Sequence, residues 1–263
     1  MSHELAVVMP VYNEQDCIRD VVVSWLDVLS RQDIDLRMIV LNDGSSDGTG
    51  SALEGFSGNR RVEVVTQPNR GHGPTILMGY RKAAGIAEWV FQCDSDNEMT
   101  PDGFPALWER RHEFDALFGH RAGRTQSPGR RLISAGSRLT VQMLFGKGVT
   151  DVNTPYRLIR SAILREIVDQ IPPDTFAPNV IISGALARAG ARIYNHPVPH
   201  EHRKTGSVSI MKWKLWKSAF RSFWQTLRCR PRIENRASRR RCTDSTRTTP
   251  MADTDSSPQR AAR

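Results

Sequence analysis

The sequence predicts an α/β fold built on a doubly wound, mostly parallel sheet. Two observations lead there. Short apolar runs of strand length alternate with longer stretches whose apolar residues recur every three or four positions. Several of those runs also stop abruptly in Gly, Asn, Asp or Glu, as strands do where they hand over to loops at the rim of an open sheet.

Residues 5–9 read as a first buried strand, stopped by Pro10, with Val11-Tyr12-Asn13-Glu14 as a short loop. Ile18, Val21, Val22, Trp25, Leu26 and Leu29 then mark one face of a helix. Residues 38–41 form the second strand, ending in Asn42-Asp43-Gly44-Ser45-Ser46-Asp47-Gly48-Thr49. Residues 62–66 are the third, followed by Asn69-Arg70-Gly71-His72-Gly73-Pro74. Pro74 opens a helix at its first position, carrying Ile76, Leu77, Tyr80, Ala83 and Ala84. Trp89 begins the fourth strand. Thr100-Pro101 reads as the cap and first turn of a helix through Trp108 and Arg111. Residues 116–119 are a weak fifth strand, 132–145 have helical character, and 149–158 fit neither period. Ser161 is a candidate cap, 180–189 a helix and 192–198 a last strand.

The 263 residues carry a net charge of +9, unevenly placed. Residues 228–263 hold ten Arg against four acidic residues, a net of +6, which leaves +3 for the body. Basicity is a property of the tail, so a nucleic-acid partner is not expected. Cys17, Cys93, Cys229 and Cys242 lack metal-ligand spacing and suggest no disulfide scaffold, which favours a reducing compartment. No signal peptide and no apolar run of membrane-spanning length is read.

The run from Trp89 ends in Cys93-Asp94-Ser95-Asp96-Asn97-Glu98. Carboxylates at a strand's C-terminal end suit a hard cation, Mg²⁺ or Mn²⁺, whose shell phosphate oxygens complete. Asp94, Asp96 and Glu98 are therefore candidate metal ligands for a nucleotide diphosphate. A solvated acidic loop is the competing reading. A calcium loop starting at Asp94 is excluded, since Met99 and Pro105 stand where it needs Gly and a bidentate Glu. Asp43, Ser45, Asp47, Gly48 and Glu54 match a calcium hand by spacing, but an apolar strand precedes them where the hand needs a helix. Asp43 can instead accept a hydrogen bond from a base or ribose, Tyr12 can stack on a base, and Glu14 can accept from a ribose hydroxyl. Gly71 and Gly73 either bring backbone close to a ligand or simply make a turn. A parallel sheet puts all these strand ends on one rim, which argues for a single nucleotide site.

These motifs carry a resemblance. Val8-Met9-Pro10-Val11-Tyr12-Asn13-Glu14, the run from Asn42 to Thr49, and Asp94-Ser95-Asp96 resemble the inverting family 2 glycosyltransferases of GT-A fold, over roughly residues 4–210. The resemblance implies a nucleotide-sugar donor, a divalent metal at Asp94 and Asp96, and base and ribose contacts from Pro10, Tyr12, Glu14 and Asp43. Gly119-His120-Arg121, Arg130-Arg131-Leu132-Ile133-Ser134, the run from Asp151 to Leu158, and the run from Val198 to Arg203 resemble the polyprenyl-phosphate branch, which includes dolichol-phosphate mannose synthases. By that resemblance Glu98 completes the metal site, Arg121, Arg131, Ser134 and Arg203 surround acceptor phosphate and leaving diphosphate, and Asp151 lies near the sugar. Arg suits that task because its planar fork grips phosphate bidentately. The sequence departs from the branch at Pro155, which replaces Gly, and at His72, which replaces Lys or Leu. With a neutral saccharide hydroxyl as acceptor, Asp151 would serve as base. A non-catalytic membrane-surface protein with a vestigial nucleotide pocket is the reading from another class.

Between residues 209 and 229, Trp213, Trp216, Phe220, Phe223, Trp224 and Leu227 recur at helical steps, with Lys214, Lys217, Arg221 and Arg228 on other faces. A basic amphipathic helix with Trp on its apolar side suits an anionic membrane surface, here the inner face of the cell membrane. A terminal helix packed on the body is the alternative. The expected organisation is therefore a catalytic domain over residues 1–208, this helix, and a disordered tail over 230–263.

Overall fold

The computed structural model describes residues 3–96, 98–121 and 152–198, with only the backbone of Arg121. The elements in order are β1 (His3–Val11), α1 (Ile18–Ser30), β2 (Leu36–Asp43), α2 (Thr49–Glu54), β3 (Val62–Gln67), α3 (His72–Ile86) and β4 (Ala87–Gln92). A 3₁₀ turn (Pro101–Gly103) leads into α4 (Phe104–Glu109) and β5 (Ala116–Arg121). After the undescribed stretch come β6 (Arg157–Arg160), α5 (Ser161–Val168), α6 (Pro178–Arg188) and β7 (Ile193–Val198).

One sheet of seven strands runs β3-β2-β1-β4-β6-β5-β7. β1 pairs in parallel with both β2 and β4, β2 with β3, and β5 with β7. β6 is antiparallel to β4 and β5 and, among the described strands, alone runs against the rest. Strand order reverses beside β1, between the β1-β2-β3 wing and β4, so the crevice between β1 and β4 is the topological switch point.

β1 is apolar almost throughout because both of its faces are covered. Ala6 and Val8 face a core completed by α3, α5 and α6. Leu5, Val7 and Met9 face a second core completed by α1 and α4. In that second core Phe91 packs against Trp25, Phe104 and Tyr156 with ring centroids 5.2, 5.0 and 4.9 Å away. The Phe104 and Tyr156 rings meet Phe91 edge-on, which suits the charge distribution of the rings.

Several boundaries differ from the sequence expectation. Pro10 does not stop β1, which runs on to Val11 and keeps its register with β2 at Pro10 opposite Leu41. Pairing with β4 ends at Val8 opposite Gln92, so the N–H that Pro10 lacks has no ladder partner to lose on that flank. α3 starts at His72, two residues before Pro74, since a proline is tolerated anywhere in the first turn. Thr100 caps nothing; its hydroxyl donates to Asp102 Oδ2 at 3.0 Å, and a 3₁₀ turn precedes α4. Ser161 is the first residue of α5, and its buried hydroxyl makes no capping bond. The stretch that fitted neither period ends in the short antiparallel β6.

Trp25 is fully buried at the centre of the aromatic cluster. Trp25→Ala is expected to lower stability by about 3–5 kcal/mol in chemical unfolding, and a loss below about 1 kcal/mol would show that the cluster does not hold α1 on the sheet.

Candidate active site

Parallel strands bring the C-terminal ends of β1, β2, β3 and β4 to one rim, and the loops there are tied to one another. Asn13 turns the chain after β1 with φ of 54°, a conformation that Asn tolerates better than most residues. Its N–H donates to Ser45 Oγ at 3.0 Å and its side-chain oxygen accepts from the Ser46 N–H at 2.8 Å. The next two N–H groups of the β1 loop, on Glu14 and Gln15, donate to Thr49 Oγ1 and Asp47 Oδ2. Gln15 Oε1 accepts in return from the Gly48 N–H at 2.6 Å. Asp47 also accepts from the Thr49 hydroxyl and N–H, an Asx turn that leads into α2. Burial pulls the Asp47 carboxyl up, but these hydrogen bonds outweigh it and hold the group below the usual carboxylate range.

Asp43 makes the matching tie on the other side. Its carboxylate is buried and accepts from Gln67 Nε2 at 2.8 Å and from the N–H groups of Arg70 and Gly71 at 2.9 Å each. These bonds fix the backbone just before α3, where Gly71 has φ of 90°, a region that L side chains avoid. Gly73 serves packing: a Cβ there would stand 2.1 Å from the carbonyl oxygen of Phe176, so the segment leading into α6 lies directly on the first turn of α3.

The crevice between β1 and β4 has Tyr12 and Glu14 on one side and Asp94, Ser95 and Asp96 on the other. Pro10 is buried beneath it, while Tyr12 is 45 % exposed. The Cys17 thiol bridges the two walls, 3.4 Å from Glu14 Oε2 and 3.7 Å from the Ser95 carbonyl oxygen. Asp94 and Asp96 are half-buried, and His72 Nε2 lies 3.9 Å from Asp94 Oδ1. Glu98 sends its N–H to Asp96 Oδ1 at 3.1 Å. Among the described residues no three His, Cys, Asp or Glu side chains gather into a metal-holding group. The oxygen chemistry of Asp94 and Asp96 still fits Mg²⁺ or Mn²⁺, which needs only one or two carboxylates when phosphate oxygens and water fill the other positions.

Of the expected site residues, the strand ends thus gather Pro10, Tyr12, Glu14, Asp43, Gly71, Gly73, Asp94, Asp96 and Glu98 along one rim. Arg121 ends β5 on the same rim. Asp151, Arg131, Ser134 and Arg203 lie outside the described residues. Sequence reasoning missed Asn13, Gln15, Gln67 and Cys17 as residues that set the site's shape. The partners of Gln67 and Cys17 stand far apart in sequence, so no local spacing announced them. Asp43→Asn places an N–H₂ against one of the three donors and is expected to lower stability by about 1–3 kcal/mol in urea unfolding. A loss under about 0.5 kcal/mol would mean that this carboxylate does not hold the loop before α3.

Comparison with known proteins agrees with this geometry. A family model described as glycosyl transferase family 2 matches residues 6–168, more than half of the chain. The undecaprenyl-phosphate 4-deoxy-4-formamido-L-arabinose transferase of Edwardsiella ictaluri is 28% identical over 215 residues, 80% of this chain and 64% of that protein. Its counterpart in Pseudomonas fluorescens is 28% identical over 76% of this chain and 59% of its own length. The chain thus spans about three-fifths of the length of these curated relatives. Among solved structures, glucosyl-3-phosphoglycerate synthase from Mycobacterium tuberculosis in complex with phosphoglyceric acid superposes with a TM-score of 0.63 at 16% identity, over 87% of this chain and 80% of that one. S. aureus TarS 1-349 in complex with UDP-GlcNAc superposes with a TM-score of 0.54 at 19% identity, over 82% of this chain and 64% of that one. The strand order, the loops tied across the rim and the matched family model lead to one conclusion: the chain belongs to glycosyl transferase family 2.

Proposed function

We propose that the protein moves a sugar from a nucleoside-diphosphate donor to a polyprenyl phosphate at a membrane surface. The observation that carries this reading is the crevice between β1 and β4, with an exposed aromatic ring on one wall and two carboxylates on the other. The curated relatives, named for undecaprenyl phosphate, supply the acceptor class. In this reading Tyr12 stacks on the base, and Glu14 and the Asp43 loop border the ribose. Asp94 and Asp96 hold Mg²⁺ or Mn²⁺, which when bound offsets charge on the leaving diphosphate. A solved structure of the same fold, glucosyl-3-phosphoglycerate synthase in complex with Mn2+, UDP-glucose and phosphoglyceric acid, supports this reading of donor and metal.

The reaction needs little from the protein beyond placement. A phosphate oxygen of the acceptor attacks the anomeric carbon as the bond to the donor diphosphate breaks on the opposite face, so configuration inverts. An ionised phosphate has no proton to lose, and a general base is dispensable. Two anions must instead be held close together, which is the work assigned to Arg121, Arg131, Ser134 and Arg203, with Asp151 beside the sugar. Among the described residues no helix is long and apolar enough to cross a membrane. The basic, Trp-bearing stretch over 209–229, followed by the Arg-rich residues 230–263, is the proposed means of reaching the lipid.

Incubating the full chain with Mn²⁺, radiolabelled UDP-sugars and vesicles containing undecaprenyl phosphate is expected to put label into the organic extract. Asp94→Asn and Asp96→Asn should each cut that label by about a hundredfold or more. Label appearing only on water-soluble saccharide would transfer the assignment to a hydroxyl acceptor, and no transfer from any nucleotide sugar would end the enzyme reading. Removing residues 209–263 should abolish sedimentation with anionic vesicles; undiminished sedimentation would refute the membrane role of that segment.

A further inference from the structure

We infer that a buried polar cluster behind β4 is a positioning element that sets the donor side of the site against the acceptor side. This rests on the reading of the site given above. The cluster comprises Tyr80 on α3, Gln92 at the end of β4, Asn179 in the first turn of α6 and Arg157 at the start of β6, each at most 4 % exposed. The Tyr80 hydroxyl lies 2.5 Å from Gln92 Oε1 and 3.1 Å from Asn179 Oδ1. Asn179 Nδ2 donates to the same Gln92 oxygen at 2.9 Å. The Arg157 guanidinium donates from Nε to the Thr154 carbonyl at 2.9 Å, from Nη1 to the Asn179 carbonyl at 3.2 Å and from Nη2 to the Val152 carbonyl at 3.3 Å.

These bonds reach both halves of the site through short lengths of backbone. Gln92 stands two residues before Asp94. Val152 and Thr154 follow Asp151, and the Thr154 hydroxyl donates to the Gly119 carbonyl at 2.6 Å, two residues before Arg121. The same four side chains therefore fix where the diphosphate carboxylates stand and where the acceptor-side segment leaves the sheet. Stability alone is a poor reason to keep them. A buried guanidinium stays charged, and apolar residues of similar volume often hold a core at least as well. Among the described residues the buried Gln92 Nε2 finds no acceptor, an arrangement that a core selected for stability alone would avoid. A polar network of this kind admits one arrangement of its members, and register between two half-sites requires that. Transfer is sensitive to such register, because reacting atoms must approach in line.

The test compares Tyr80→Phe, Arg157→Lys and Arg157→Met in the full chain. Tyr80→Phe and Arg157→Lys are expected to melt near the unaltered protein, bind UDP with Mn²⁺ within about twofold in calorimetry, and turn over about 10- to 100-fold more slowly at saturating donor. Arg157→Lys, which keeps the charge and part of the bonding, should retain more turnover than Arg157→Met. Should Arg157→Met not fold, Tyr80→Phe, which removes a single oxygen atom, decides alone. Unchanged turnover in Tyr80→Phe overturns the inference, and so does a loss of turnover that merely tracks lost UDP binding or a lower melting temperature. If no donor labels lipid, the functional reading has failed, and hydrogen exchange then decides the inference separately. UDP with Mn²⁺ should slow exchange at residues 152–156 in the unaltered chain and not in Tyr80→Phe; equal slowing in both, or none in either, overturns it.

Discussion

The architecture depends on β1 being buried on both faces while hydrogen-bonded in parallel on both edges. A parallel neighbour can be reached only by a crossover, so each of the first strands is followed by a helix that must cover a sheet face. The two wings leave β1 in opposite directions, and that divergence opens the crevice at its C-terminal end. Once β1 is fixed, the loops after β1, β2, β3 and β4 have nowhere to go but the same rim. Charged and Gly-rich loops are tolerable there because the helices cover the two faces of the sheet and not its rim.

The rim is a woven structure. Asn13 and Gln15 tie the β1 loop to the β2 loop, Asp43 ties the end of β2 to the loop after β3, and Cys17 links the β1 loop to the segment after β4. Several of the residues that identify the family by sequence thus act first on each other. Asp47 and Gly48, which imitate a calcium loop by spacing, hold Gln15 and tie the turn that leads into α2. A sequence pattern that looks like ligand chemistry can record the chemistry of building the ligand's container.

β1, β2, β4 and the helix carrying Trp25 were legible because their burial leaves a clear apolar run or period in the chain. The sheet's parallel character followed from the alternation of the two periods. Pro10 misled because its strand position matters only where a ladder bond is required, and pairing on that flank has already ended at Val8. The short β6 was hidden because Arg157, a residue that reads as surface, is buried against three carbonyls. The placement of Tyr12, Asp94 and Asp96 on the rim was legible, since a strand's end predicts where a residue stands. The partners of Asp43 and Gln67 were not, because hydrogen bonds between loops leave no period in the chain.

The weaving of the rim also bears on heat and entropy. Loops that are left loose until a ligand arrives must be ordered by that ligand, and its affinity is diminished accordingly. Here the ordering of the β1, β2 and β3 loops is completed during folding by their mutual hydrogen bonds. A ligand entering such a vestibule would meet walls already in place, and less of its contact energy would go into ordering them.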